Sequence, residues 1–85
     1  MRIIIVGCGK VGSTITEQLV KEGHDVAVID RDSDVIQDIT NNFDVMGVVG
    51  NGASYSIQKE AGIEDAHLLI AVTGSFVLSV CKKSR

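Results

Sequence analysis

Ile3-Ile4-Ile5-Val6-Gly7-Cys8-Gly9-Lys10-Val11-Gly12, then a helix-like stretch, then Val26-Ala27-Val28-Ile29-Asp30, is the run that decides the fold. Gly7, Gly9 and Gly12 form a G-x-G-x-x-G turn directly after an apolar strand pattern. Such a turn alone is weak evidence, because glycine-rich turns are common. Here it has a strand before it, a helix after it, a second strand, and an acid close to the expected ~20 residues on. Gly7 permits a tight turn out of the first strand, where a positive φ would cost a Cβ-bearing residue energy. Gly9 lets the backbone approach a pyrophosphate, and Gly12 lets the first helix lie against the sheet. The first-turn N–H groups of that helix, with the positive end of its dipole, then face an anion.

Asp30 stands where a carboxylate can accept hydrogen bonds from both hydroxyls of an adenosine ribose, and its charge repels a 2′-phosphate. NAD(H) is therefore favoured over NADP(H). Arg31 softens that preference, since a guanidinium can bind phosphate or stack on adenine. Cys8 fills a variable position of the turn and reads as a small filler rather than a redox thiol. Lys10 either reaches a phosphate or points to water.

The 85 residues make one small domain at most. At this size roughly 60–65% of the unfolded chain's surface is buried on folding, so stability is marginal without a partner. Aromatics are few, and the apolar residues are mostly Ile, Val, Leu and Ala in short unbroken runs, a pattern of parallel strands covered on both faces. The net charge of −3 and the lack of a basic stripe give no support to nucleic-acid binding. No segment approaches the ~20 apolar residues needed to span a bilayer. The amino-terminal apolar run leads into the glycine turn and reads as a strand, not a signal peptide. Cys8 and Cys81 have no paired or metal-ligand spacing, which suits a reducing cytoplasm.

Strand and helix patterns alternate along the chain. Arg2–Val6 is the first strand. Val11, Ile15 and Leu19 mark the inner face of the first helix, which Gly23 ends. Val26–Ile29 is the second strand, Asp32 or Ser33 caps a helix striped by Ile36, Ile39 and Phe43, and Val45–Val49 is the third strand. Gly47 within it signals a close backbone approach or a bulge. The turn Gly50–Ser54 leads to a short helix carrying Ile57 and Ala61 and stopped by Gly62. Leu68–Val72 is the fourth strand, ending at Thr73 and Gly74. The fold class is α/β: a Rossmann-type, doubly wound parallel sheet in order 3-2-1-4, truncated after strand four. Ligands of such sheets bind at the carboxyl ends of the strands where the order reverses. That rim gathers Gly7–Gly12, Asp30, Asn51, Gly52, Ala53 and Ser54, with Thr73 and Gly74.

Together, Ile3–Gly12, Val28-Ile29-Asp30, the run Val48-Val49-Gly50-Asn51-Gly52-Ala53-Ser54 and Ala71-Val72-Thr73-Gly74-Ser75 resemble the nucleotide-binding domain of the Trk-type potassium-uptake regulators, also called RCK (regulator of potassium conductance). The resemblance covers residues 1–75. It implies a cytoplasmic subunit, peripheral to the inner face of the membrane, that binds NAD(H), or ADP/ATP in some relatives, and gates a membrane potassium transporter. It puts Gly7–Gly12 on the diphosphate and Asp30 on the ribose. Asn51, Gly52 and Ala53 would lie near adenine, and Thr73 with Gly74 near the phosphates or distal ribose. The family continues after the Thr-Gly-Ser turn with acidic residues, a helix and two further strands. Residues 76–85 depart from that and read as an atypical tail, in which Phe76–Val80 would leave strand four or a short helix exposing apolar surface. Pairing with another copy, a dimer or larger ring, is therefore expected.

Tyr55 and Lys59 spell Tyr-x-x-x-Lys, as in short-chain dehydrogenases, but they follow strand three and accompany differently spaced glycines, so a solvated helix face is the reading. His24 and His67 lie at the amino ends of strands, on the wrong rim, with no metal spacing. A ligand-sensing regulatory domain that is not an enzyme is thus expected. The alternative is the cofactor-binding fragment of an NAD-dependent oxidoreductase.

Overall fold

Strand formation begins with three consecutive isoleucines that have nowhere to go but inward. Ile3, Ile4 and Ile5 are each at most 1% exposed, which requires cover on both faces of the strand that carries them. The computed structural model describes residues 2–7, 9–51, 55–62, 64, 66–73 and 76–82, with backbone alone for Lys10, Tyr55, Thr73 and 76–82. Within these, the elements run β1 Arg2–Val6, α1 Lys10–Lys21, β2 Asp25–Asp30, α2 Ser33–Asn42, β3 Met46–Val49, α3 Tyr55–Glu60, β4 Leu68–Thr73 and β5 Phe76–Lys82. They form one sheet in the order β3-β2-β1-β4-β5. β1 lies between β2 and β4, parallel to both, and β3 is parallel to β2.

This order sets which helix covers which face. From β1 to β2 to β3 the chain steps in one direction, so right-handed crossovers put α1 and α2 on the same side. The return from β3 to β4 reverses the step, and the same handedness throws α3 to the other side. Two separate cores follow. Ile3, Ile5, Val26, Val28, Ile70 and Val72 meet Ile36 and Ile39 of α2, with Val11, Ile15 and Leu19 of α1 packed against them. Ile4, Ala27 and Ile29 meet Ala61 and Ala66 on the far face, with Ile57 of α3 alongside. The expected helix stripes are therefore those that pack.

The expected parallel order is present, and the sheet does not stop at strand four. Phe76–Lys82, expected as a tail, is β5, antiparallel to β4 from Leu68↔Lys82 to Thr73↔Phe76. Only residues 74 and 75 separate the two strands in sequence. Two residues suffice for a hairpin, whereas a parallel neighbour needs a crossover of a dozen or more. Gly47 marks a close approach and no bulge: its pairing with Val28 is regular. A Cβ there would lie 2.6 Å from Ile36 Cγ2 and 2.7 Å from Thr40 Cγ2. No helix among the described residues is long and apolar enough to cross a membrane.

Fully burying an isoleucine contributes about 1.5–3 kcal/mol, and truncating one also leaves a cavity. Ile5→Ala is therefore expected to cost about 2–5 kcal/mol. Glu17→Ala removes only the exposed i,i+4 ion pair with Lys21 (3.4 Å) and is expected to cost under about 0.5 kcal/mol. Urea denaturation of the two variants measures the contrast.

Candidate functional site

The glycine turn is held by its neighbours on both sides. Gly7 has φ +83°, a left-handed conformation that glycine adopts without the Cβ penalty. Its N–H donates to Ile29 O at 2.8 Å, tying the turn to β2. A Cβ on Gly7 would run into the Val72 carbonyl oxygen of β4. The turn is thus wedged where β2, β1 and β4 meet, at the point where the strand order reverses.

Gly9 is the N-cap of α1, with φ −88° and ψ −153°, and among the described residues no side chain caps the helix. The first turn contains no acid. Gly12 is buried in that turn, and its carbonyl accepts the hydroxyl of fully buried Thr16 at 2.7 Å. Val11 is half-buried against the sheet and belongs to the core, so its side chain packs while its backbone lies in the helix start. Lys10 is the first residue of α1. Cys8 lies outside the described residues, as do Gly52, Ala53, Ser54 and Gly74.

The second helix behaves oppositely. Asp32, not Ser33, is its N-cap: the carboxylate accepts Asp34 N–H at 2.9 Å, and Asp34 adds a charge in the first turn. One helix start in the first β-α-β-α unit is therefore already supplied with carboxylate, and the other is not. An unfilled N-terminus with its dipole is an anion-binding arrangement.

Asp30 ends β2 half-buried. Its Oδ1 accepts Asp32 N–H at 2.9 Å, which fixes the carboxylate at the strand end. Asp30 O accepts Gly50 N–H at 2.9 Å, drawing the loop after β3 to the same place. Gly50 was legible only as part of a turn, and its coupling to Asp30 is what aligns that turn. A Cβ on Gly50 would sit 2.7 Å from Ile57 Cδ1, so the missing side chain also seats α3. Arg31 and Asn51 are exposed beside these groups, and Thr73 ends β4. The registers Val6↔Ile29, Val6↔Ala71 and Asp30↔Val49 bring the strand ends level. Gly7, Asp30, Gly50 and Thr73 thus share one rim, as the sequence order requires.

Other groups stay away from it. His67 Nδ1 accepts Arg2 N–H at 3.0 Å and His67 N–H donates to Arg2 O at 2.8 Å, joining the start of β1 to the entry of β4. His24 lies 3.5 Å from Glu22 at the end of α1. Lys59 is exposed on α3, and the Tyr55 side chain lies outside the description. A cleft of about 300 Å³ lined by Arg2, Asp25, Asp44 and Met46 opens at the amino ends of the strands, on the opposite side from the glycine turn. A groove of about 290 Å³ runs from Gly9 and Ser13 over Val35, Ile39 and Phe43, beside the start of α1.

A glycine turn entering a helix at the switch point of a parallel sheet, with an acid ending the next strand, defines the Rossmann-type class of nucleotide-binding folds. Residues 3–81 match the TrkA-N domain family model, and the chain belongs to that family. It is 41% identical over 75 residues to the Trk system potassium uptake protein TrkA of Halomonas elongata, and 45% identical over 73 residues to that of Azorhizobium caulinodans. These alignments cover 88% and 86% of this chain but 16% of each relative. A Methanothermobacter thermautotrophicus TrkA homolog is 32% identical over 75 residues, 35% of its own length. Among solved structures, the TrkA-N domain of Escherichia coli inner membrane protein ybaL superposes with TM-score 0.76 at 30% identity, covering 82% of this chain and 51% of that one. The Shewanella denitrificans Kef CTD, in AMP-bound form, gives TM-score 0.70 at 25% identity over 81% of this chain and 40% of that one.

Gly7→Ala is expected to destabilise the domain far more than Gly23→Ala. Both glycines have positive φ, yet a Cβ on Gly23 meets nothing within 4 Å while one on Gly7 meets the Val72 carbonyl. The Gly23 change should cost about 1 kcal/mol and the Gly7 change at least twice that by thermal melts; equal costs would contradict the wedge.

Proposed function

We propose that this domain binds an adenine nucleotide, NAD(H) or ADP/ATP, at the carboxyl rim and serves as the ligand-sensing part of a potassium-uptake regulator. One observation carries the reading: among the described residues no side chain caps the start of α1, and its first turn holds no acid, at the switch point of the sheet. The residues present fit a diphosphate there. Backbone N–H groups of the first turn supply donors, the helix dipole supplies field, and Gly7 and Gly9 add no side chains between. Asp30 would receive the ribose hydroxyls, with Arg31 beside it. Asn51, Gly52 and Ala53 would flank the adenine, and Thr73 and Gly74 the phosphates. The AMP carried by the Shewanella Kef structure and the potassium-uptake names of the TrkA relatives support the same reading.

Regulation needs a ligand that binds two conformations unequally. The rim offers a link: Asp30 touches Asp32, which caps α2, and its carbonyl holds Gly50 at the base of the loop before α3. A ligand on Asp30 therefore acts on two elements at once. The partner on this reading is a membrane potassium transporter, with the domain peripheral to the inner, cytoplasmic face. No catalytic step is assigned. Self-association through sheet edges fits as well, since β3 and β5 are the outer strands and β3 exposes Met46 and Val49.

Binding of NAD⁺, NADH or ADP is expected to raise the melting temperature, with stabilisation near 2.7 kcal/mol at a hundredfold excess over Kd. Asp30→Ala should weaken binding about 10- to 100-fold, the loss of hydrogen bonds to a charged acceptor. Isothermal titration calorimetry checks both. Tight NADPH binding unaffected by Asp30→Ala would contradict the ribose assignment.

A further inference from the structure

We propose that this chain reads only the adenylyl half of a dinucleotide and is indifferent to the nicotinamide end. The inference rests on the nucleotide reading above and follows from the direction of one strand. In a doubly wound sheet, two β-α-β-α-β halves each receive one mononucleotide across the switch point. The first half is complete here: β1, α1, β2, α2 and β3 supply the glycine turn, the uncapped helix start and Asp30. A second half would continue outward from β4 with parallel strands, each ending at the ligand rim and leading into a crossover.

The strand beside β4 runs the other way. β5 pairs antiparallel, with Phe76 opposite Thr73 at the ligand rim and Lys82 opposite Leu68 at the far rim. The carboxyl end of β5 is thus about a full strand length from the site. Residues 74 and 75 are all the sequence between β4 and β5, too few for a helix whose amino end could face the ligand. The pairing is also irregular between Ala71 and Val72, and such irregularities bend and twist the strand locally. The described strands therefore furnish the switch point on its β2 side with donors and a carboxylate, and on its β4 side with an antiparallel neighbour.

The test is a calorimetric series on the full chain with ADP, NAD⁺, NADH and nicotinamide mononucleotide. ADP, NAD⁺ and NADH are expected to bind within about threefold of one another, and nicotinamide mononucleotide is expected neither to bind nor to displace ADP. Binding of NAD⁺ or NADH more than about tenfold tighter than ADP, or a comparable preference between the two redox forms, would overturn this inference while leaving the nucleotide site intact. Failure of ADP and both dinucleotides to bind would overturn the site itself, and this inference with it.

Discussion

Everything at the rim depends on Gly7 having no side chain. Its N–H is bound to Ile29 of β2, and the space a Cβ would need is taken by the carbonyl oxygen of Val72 in β4. β1 can leave the sheet between its two neighbours only through a residue that accepts φ +83° and adds no bulk. That exit aims the chain into α1 over the carboxyl ends of the strands. The start of α1, the end of β2 and the loop after β3 are then brought level by strand register and by the Gly50–Asp30 bond.

The turn is affordable because the core beneath it is packed on two sides. β1 and β2 contribute Ile3, Ile5, Val26 and Val28 to one face, and Ile4, Ala27 and Ile29 to the other. The alternation of their side chains, with period two, splits consecutive apolar residues between the faces. A domain of this size has a thin margin, so polar groups inside it must be satisfied locally. Buried Thr16 does so by bonding back to Gly12 within its own helix. In a domain this small, a ligand bound at the proposed rim is expected to shift conformation measurably.

Much of this was legible in the residues. The glycine spacing located the turn, the 3.6-residue stripes located the packed faces of α1 and α2, and the sheet order followed from handedness. What was not legible involves choices between distant or equal partners. β5 escaped because an apolar run without polar alternation has no clear period, and only pairing with β4 decides its direction. Asp32 and Ser33 are both good caps, and the bond from Asp34 N–H selects Asp32. Gly47 announced a bulge or a close approach, and the methyl groups of Ile36 and Thr40, brought in by α2, resolve it. His67 carries no sequence sign that its ring will hold the backbone of Arg2, 65 positions away.

On the proposed function, the start of α1 is where the anion binds. Amide chemical-shift mapping of the labelled chain during ADP addition tests it most directly. The largest perturbations are expected at the amides of Gly7 and Gly9–Ser13, with smaller ones at Asp30–Asp32 and little at Asp34–Ile36, where Asp32 already caps the helix. Perturbations centred on Arg2, Asp25 and Met46 at the opposite rim, with the glycine turn unmoved, would contradict it.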